Sequence, residues 1–167
     1  VFITFTTASA SNLFELTAPD IDGSQLPLEE FQGKVIMVVN TASRCGFAPQ
    51  YKGMEEIYRK YQDQGFVVLG FPSNDFNQEF SSNEKIKEFC EVNFNIDFPM
   101  TALNEVKGDD AHEIFKWAKD NHGKSAVPKW NFHKILINKQ GKIEDTFSSF
   151  TKPNSKKIVS KIEALLN

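Results

Sequence analysis

Two short apolar runs constrain the fold of this sequence most strongly. One covers residues 34–40 and the other residues 65–71, and both are rich in Val, Ile, Leu or Phe. Runs of this length without polar alternation are typical of strands that are buried on both faces of a sheet. Between them, apolar side chains recur at helical spacing from Pro49 to about residue 64, which predicts an amphipathic helix. The sequence therefore predicts two buried strands joined by a helix.

Periodicity and turn residues predict five further elements. They are an N-terminal hairpin from residues 13–16 and 25–28 about Asp22-Gly23, a helix after the capping box at residues 81–84, a helix over 111–118, a strand pair over 132–138 and 143–147, and a last helix over 158–166. This order predicts an α/β chain with a thioredoxin-like fold, in which helices flank a central mixed sheet and a β-hairpin comes first.

Composition excludes several classes of partner. The 167 residues include 19 Lys plus Arg and 22 Asp plus Glu, a net charge of −3. Nucleic acid is not an expected partner, because no basic stripe is present to neutralise phosphates. The longest apolar run, residues 35–39, is far shorter than the roughly 20 residues that cross a bilayer. No repeat or linker divides the sequence, so one domain is predicted over residues 11–167.

The first ten residues differ in character from the rest. They carry no charge and end in Ala8-Ser9-Ala10, which matches the apolar part and the cleavage site of an export signal without its basic start. An N-terminal β-strand is the alternative interpretation, since Phe and Thr favour strands. Residues 1–10 are interpreted as an export-signal remnant, and a periplasmic or secreted location is favoured over a cytoplasmic one.

The Cys and His residues do not form a metal-binding pattern. Cys45 and Cys90 are too few and too far apart for a disulfide framework or a zinc motif. The three His residues share no ligand spacing with them or with one another. The sequence therefore predicts no metal site.

Cys45 is the strongest candidate for chemistry. It follows the first buried strand and precedes the helix that begins near Pro49. Reactive groups gather beyond the carboxyl ends of such strands, and the N–H groups of a helix start favour a thiolate. The neighbouring Arg44 would add positive charge. The alternative is that Cys45 serves as a small apolar side chain beneath a loop.

Two further segments hold polar groups that can meet Cys45. Trp130 and Asn131 offer N–H donors, which stabilise a thiolate without neutralising it, although a core Trp beside a turn Asn explains them equally well. The loop after the second strand carries Asn74, Asp75 and Gln78, any of which can face Cys45 or simply solvate the loop.

These segments carry a family resemblance. Residues 40–46 (Asn-Thr-Ala-Ser-Arg-Cys-Gly), residues 70–79 and residues 130–137 (Trp-Asn-Phe-His-Lys-Ile-Leu-Ile) resemble the three signature blocks of the glutathione peroxidase family, in the same order. The resemblance extends from about Asn12 to Leu166. It implies a thiol peroxidase with a role in oxidative stress, in which Cys45 reduces hydroperoxides and Trp130 and Asn131 belong to the catalytic set.

One position departs from the family pattern. Asp75 stands where the family usually has a catalytic Gln, and a carboxylate there would raise the pKa of a nearby thiol through like-charge repulsion. Three interpretations remain open at this point. Asp75 points away, it is protonated, or Gln78, which matches the later Gln-Glu pair of the block, supplies the amide.

The resemblance also assigns a role to Cys90. By itself, its position on an apolar helix face indicates a buried packing residue. Thioredoxin-dependent members of the family, however, carry a resolving Cys at this place. The segment between the third predicted α-helix and Trp130, residues 121–129, is short. In this it resembles the same segment of family members that lack the subunit-interface loop of tetrameric enzymes. The resemblance thus implies a monomer reduced by a thioredoxin-like dithiol, with glutathione a weaker candidate and no organic cofactor.

Two other classes of function are alternatives to a peroxidase. A thioredoxin-fold redox sensor or disulfide-relay protein would use the same fold, but Cys45 lies in neither a Cys-x-x-Cys nor a Cys-x-x-x-Cys motif. A binding module without catalysis would leave the three blocks unexplained. The resemblance therefore implies reduction of hydrogen peroxide and organic or lipid hydroperoxides through a Cys45 sulfenic acid.

Overall fold

The computed structural model describes residues 10–167, and residues 1–9, on which the export prediction rests, lie outside that part. The described strands are β1 (Thr17–Pro19), β2 (Gln25–Pro27), β3 (Val35–Thr41), β4 (Phe66–Pro72), β5 (Lys134–Ile137) and β6 (Ile143–Phe147). The described α-helices are α1 (Gln50–Tyr61), α2 (Asn83–Phe94), α3 (Glu113–His122) and α4 (Lys156–Leu166).

The central sheet has the strand order β4-β3-β5-β6. β3 runs parallel to β4 and antiparallel to β5, and β5 and β6 form an antiparallel pair. β1 and β2 form a separate hairpin. This is the predicted thioredoxin-like arrangement, a mixed sheet flanked by helices and preceded by a hairpin.

Both faces of the central sheet are covered, because β3, β4 and β5 are buried along their whole length. Val35, Met37 and Val39 contribute to one core with α1, α2 and α4, whereas Ile36 and Val38 contribute to a second core with α3 and the N-terminal segment. Cys45 and Cys90 both belong to the first core. The two sulfurs therefore lie on the same side of the sheet.

The N-terminal prediction was correct for the hairpin turn but wrong for its first strand. Residues Leu13–Glu15 form a 3-10 turn, since Asn12 caps it by accepting a hydrogen bond from the N–H of Phe14 (2.9 Å). The first strand is β1, which pairs with β2. A side chain that satisfies a backbone N–H locally removes the need for a strand partner at that residue.

Several boundaries also differ from prediction. α3 begins at Glu113 rather than near residue 111, because the His112 side chain caps it by accepting from the N–H of Ile114. α1 ends at Tyr61 and is followed by a 3-10 turn, which Gly65 closes with a φ of 92°. α2 begins one residue later than the capping box indicated, because the Ser82 hydroxyl accepts from the N–H of Lys85. The strand predicted from residue 132 begins at Lys134, since Phe132 has a φ of 63° and cannot continue an extended chain.

No helix in residues 10–167 is long and apolar enough to cross a membrane.

Candidate active site

Cys45 lies in a series of turns between the carboxyl end of β3 and the start of α1. Its carbonyl accepts a hydrogen bond from the N–H of Ala48 (3.0 Å), and its Sγ accepts one from the N–H of Phe47 (3.3 Å). A backbone donor at the sulfur favours the thiolate over the thiol. Only 6% of Cys45 is exposed. Its position therefore provides both partial shielding from water and a donor for the charged form.

The helix itself begins five residues after Cys45, at Gln50, so the sulfur does not sit directly on the helix start as the sequence suggested. The side chain of Arg44 is exposed, where solvent screens its charge. Its backbone N–H matters more for the geometry, because it donates to the carbonyl of Gln78 (2.8 Å). This bond fixes the loop after β4 beside the loop that carries Cys45.

Trp130 and Asn131 lie in a turn before β5 rather than in a strand. Asn40, near the end of β3, makes three hydrogen bonds to this turn. Its Nδ2 donates to the carbonyl of Trp130 (2.9 Å), its Oδ1 accepts from the N–H of His133 (3.1 Å), and its own carbonyl accepts from the N–H of Phe132 (2.7 Å). The third signature block is thereby anchored to the strand that leads to Cys45.

The side chain of Asn131 is fully buried and donates through Nδ2 to Oε1 of Gln78 (3.0 Å). Trp130 is 37% exposed, and its ring packs on Phe76 with the ring centroids 5.3 Å apart. Gln78, Trp130 and Asn131 are thus brought together, and the Arg44 bond joins Gln78 to the Cys45 loop.

The carboxylate of Asp75 binds a backbone segment outside the Cys45 loop, which agrees with the interpretation that Asp75 points away from the sulfur. Its Oδ2 accepts hydrogen bonds from the N–H groups of Val106 (2.8 Å) and Lys107 (3.1 Å). The side chain of Asn74 also binds the backbone, because its Oδ1 accepts a hydrogen bond from the N–H of Glu79 (3.1 Å). Of the three loop side chains that the sequence offered, Gln78 is the one that contacts another candidate site residue.

Cys90 is buried in α2, with 1% of its surface exposed. Burial raises the pKa of its thiol to about 12, and the nearby Tyr51 hydroxyl opposes this increase only in part. Neither cysteine is in a disulfide. Cys90 also borders a surface cavity of about 280 Å³ between α2, the hairpin loop and residues 96–100. The thiol is therefore unreactive at neutral pH in this conformation.

Two surface cavities meet at Phe150, which is 82% exposed. One, of about 430 Å³, reaches Gly46 and Phe47, and the other, of about 320 Å³, reaches Trp130. Phe150 meets Phe47 edge-on with ring centroids 5.4 Å apart. An apolar group thus stands at the surface beside the candidate site.

Sequence reasoning missed three buried polar residues near the site. Asn40 appeared only as the end of an apolar run, Glu79 as part of a motif, and Lys134 as one residue of the third block. Burial raises the pKa of Glu79. Lys134 could have been noticed from the sequence, because a cation begins the otherwise apolar strand Lys-Ile-Leu-Ile and charged residues are rarely buried.

In the described residues, no group of three or more His, Cys, Asp or Glu side chains is arranged to hold a metal ion.

Residues 13–119 match the sequence model of the glutathione peroxidase family. The chain belongs to the glutathione peroxidase family. It is 44% identical over 146 residues to the glutathione peroxidase-like peroxiredoxin gpx1 of Schizosaccharomyces pombe, which covers 86% of this chain and 92% of that protein.

Two further similarities extend over almost the whole chain. The hydroperoxy fatty acid reductase gpx1 of Synechocystis sp. is 42% identical over 170 residues, covering 96% of this chain and 99% of that protein. The crystal structure of Trgpx in apo form superposes with a TM-score of 0.74 at 36% identity, covering 94% of this chain and 97% of that one. This member of the glutathione peroxidase family is a thiol peroxidase, an oxidoreductase that reduces hydroperoxides.

Proposed function

We propose that Cys45 is the peroxidatic residue of this thiol peroxidase. The observation that carries the proposal is the bond from Arg44 N–H to the Gln78 carbonyl, which sets the Gln78–Asn131 pair beside the Cys45 loop. The Cys45 thiolate attacks the terminal oxygen of the hydroperoxide, an S–O bond forms and the O–O bond breaks. The sulfur is oxidised to a sulfenic acid, and the other oxygen leaves with a proton as water or an alcohol.

Gln78, Asn131 and Trp130 are proposed to stabilise charge during this step. Because Oε1 of Gln78 already accepts from Asn131, its Nε2 remains to donate to the thiolate or to the leaving oxygen. The indole N–H of the half-exposed Trp130 provides a second donor at the mouth of the site. Asp75 is assigned no role in the chemistry, since its carboxylate is engaged with the backbone of residues 106–107.

Cys90 is proposed to resolve the sulfenic acid. Its thiolate attacks the Cys45 sulfur, an S–S bond forms, and the sulfenic oxygen leaves as water. Cys90 is packed inside α2, and a disulfide requires Cα atoms within about 7 Å, so α2 unwinds locally before the bond forms. A thioredoxin-like dithiol then reduces the disulfide by exchange, and the protein acts as a monomer.

The substrate range is proposed to include organic hydroperoxides in addition to hydrogen peroxide. The exposed ring of Phe150 and the cavity between it and Gly46 and Phe47 offer apolar surface beside the loop that carries Cys45. The relative from Synechocystis, named a hydroperoxy fatty acid reductase, supports the inclusion of lipid hydroperoxides.

A two-stage assay tests the proposal. In a single turnover without reductant, the wild-type protein is expected to consume one equivalent of peroxide, and Cys45→Ser none. With thioredoxin, thioredoxin reductase and NADPH, the wild type is expected to turn over continuously. Cys90→Ser keeps the first oxidation and loses this turnover, and mapping of the oxidised wild type yields a Cys45–Cys90 disulfide. Consumption of peroxide by Cys45→Ser contradicts the assignment of the peroxidatic residue.

The same assay separates the peroxidase from a redox sensor or disulfide-relay protein. A sensor is oxidised once and stops, whereas a peroxidase consumes peroxide for as long as the dithiol is supplied. Stoichiometric oxidation without turnover, at any dithiol concentration, would favour the sensor.

A further inference from the structure

Lys134 is a buried cation that the proposed mechanism does not use. It is the first residue of β5, three residues after Asn131, and none of its surface is exposed. Its Nζ donates to Oε1 of Gln50 (2.6 Å) and to the carbonyl of Thr151 (2.5 Å), and it also lies 3.4 Å from the carbonyls of residues 148 and 149. All of these acceptors are uncharged. A buried ammonium without a carboxylate is uncommon, because burial of an unpaired charge is costly.

The other groups around Lys134 are also neutral. Its neighbours on the adjacent strands are Val39 on β3 and Phe147 on β6. His133, which precedes it in the chain, is uncharged at neutral pH, because burial lowers the pKa of that imidazole to about 4. None of the ion pairs in residues 10–167 involves Lys134. Its positive charge is therefore not compensated by any group packed against it.

Gln50 connects this charge to the Cys45 loop. Gln50 is the first residue of α1, and its Nε2 donates to the Ser149 carbonyl (2.7 Å) while its Oε1 accepts from Lys134. Its backbone N–H donates to the carbonyl of Phe47 (2.8 Å), the residue whose own N–H donates to the Cys45 sulfur. A continuous chain of contacts thus runs from the ammonium through the start of α1 to the sulfur.

We infer that Lys134 is a positioning residue for Cys45, whose buried charge, acting through Gln50 and the start of α1, favours the thiolate of Cys45. This inference rests on the proposed function, in which Cys45 is the peroxidatic residue. The positive end of α1 and the ammonium add in the same direction, because both favour negative charge in the loop that precedes the helix. Since burial lowers the pKa of Lys134 to about 7, the charge is fully present at pH 6 and is lost as the pH rises above 7.

The test is the rate of Cys45 alkylation by iodoacetamide at pH 6, measured without peroxide in a Cys90→Ser background. Lys134→Met removes the charge while keeping an unbranched side chain. Gln50→Glu keeps the acceptor for Lys134 but cancels its charge. We expect each change to slow alkylation by about tenfold at pH 6, the scale of one unit charge acting in a partly buried site. The difference from the parent should diminish above pH 8, where Lys134 is neutral in the parent as well.

Two exposed positions provide matched controls. Lys119→Met on α3 removes a surface cation, and Gln62→Glu just beyond α1 adds the same negative charge far from Cys45. Both should alkylate at the parental rate. Thermal unfolding is measured for each variant, and Lys134→Met should be less stable than the parent, because Oε1 of Gln50 and the carbonyl of Thr151 lose their buried donor.

The outcomes are distinct. Slow alkylation in Lys134→Met with a parental rate in Gln50→Glu would mean that Lys134 acts through packing alone, and would overturn the inference. Parental rates in both variants would overturn it as well. If Lys134→Met fails to fold, Gln50→Glu decides by itself. Because alkylation is read without peroxide, failure of peroxide turnover would affect the proposed function and leave this measurement valid.

Discussion

The side-chain amide of Asn131 donates to the side-chain carbonyl of Gln78 across 3.0 Å, and this contact joins two loops that lie 53 residues apart in the sequence. It determines which end of the Gln78 amide is free. With its oxygen engaged, Gln78 presents its NH₂ group as a donor, which is the polarity that a thiolate and a departing oxygen require.

The first prediction separates Gln78 from Asp75. Gln78→Ala should slow the single-turnover reaction of Cys45 with peroxide by up to about a hundredfold, since loss of one preorganised donor costs at most about 3 kcal/mol. Asp75→Asn should keep the wild-type rate and lose about 1 kcal/mol of stability, because an amide oxygen accepts less strongly than a carboxylate from the N–H groups of residues 106 and 107. Stopped-flow fluorescence and urea unfolding provide the two readouts. The reverse result, loss of the peroxide reaction in Asp75→Asn and a wild-type rate in Gln78→Ala, would make a protonated Asp75 the better assignment for the fourth catalytic residue.

The second prediction concerns Asn40. Asn40→Ala leaves the carbonyl of Trp130 and the N–H of His133 without their partner, so we expect a loss of about 2–4 kcal/mol in stability together with a slower peroxide step. Asn138→Ala is a matched control, because Asn138 also accepts from two backbone N–H groups, at the β5–β6 turn away from the site. That variant should lose stability and keep its peroxide rate. Equal peroxide rates in the two variants would remove Asn40 from the site.

The third prediction is a pH dependence of disulfide formation. If Cys90 reacted from within α2, the rate would rise about tenfold for each pH unit from 7 to 10, since the pKa of its buried thiol is about 12. We expect the rate instead to level off near pH 9, because local unwinding of α2 returns the thiol to an ordinary pKa of about 8.5. Rapid acid quench and mass spectrometry of peroxide-treated protein give the rate. A log-linear increase through pH 10 would exclude prior unwinding.

The fourth prediction follows from the contacts that hold the end of α2. Arg59 on α1 donates through Nη2 to the carbonyl of Asn95 (3.0 Å) and pairs with Asp97 (2.9 Å). Arg59→Met releases the chain just after α2, so the disulfide should form several-fold faster after oxidation of Cys45. Lys60→Met, the adjacent exposed residue, is the control and should leave the rate unchanged. A slower or unchanged rate in Arg59→Met would mean that α2 opens from its other end.

The fifth prediction concerns stability in acid. Burial lowers the pKa of His133 from 6.5 to about 4, so the unfolded chain takes up a proton at a higher pH than the folded protein does. Stability should therefore fall as the pH decreases from 6.5 to 4, by about 2 kcal/mol at pH 5 from this residue. His133→Gln should flatten this part of the profile, whereas exposed His122→Gln should not. An unchanged slope in His133→Gln would contradict the assignment.

The apolar runs of β3 and β4 were sufficient to predict the core of the fold, because a strand buried on both faces leaves few alternatives for the residues that flank it. That same logic placed Cys45 correctly at the carboxyl end of β3. The turn at residues 130–132 was not predictable, since a positive φ at Phe132 is imposed by three hydrogen bonds from Asn40, 90 or more residues earlier.

The orientation of Asp75 also depended on a distant segment. Its carboxylate is held by backbone N–H groups at residues 106 and 107, and no periodicity or motif in the sequence links these positions. The orientation of Gln78 could not be predicted for the same reason, because its hydrogen-bond partners are Arg44 and Asn131. Local patterns predict helices and strands well, whereas the direction of a loop side chain is decided by contacts with residues that are distant in sequence.

The three hydrogen bonds between Asn40 and residues 130–133 also have a consequence for the protein during its synthesis. During synthesis, Cys45 leaves the ribosome about 85 residues before Trp130 and Asn131, so the N-terminal half of the chain has neither donor and no β5 to hold them. Contacts so distant in sequence form late in folding. In the proposed mechanism, a nascent chain therefore carries Cys45 without these donors, and its full reactivity toward peroxide is expected only once residues 130–133 have joined β3. A partly synthesised chain would then be less sensitive to oxidation at Cys45 than the folded enzyme.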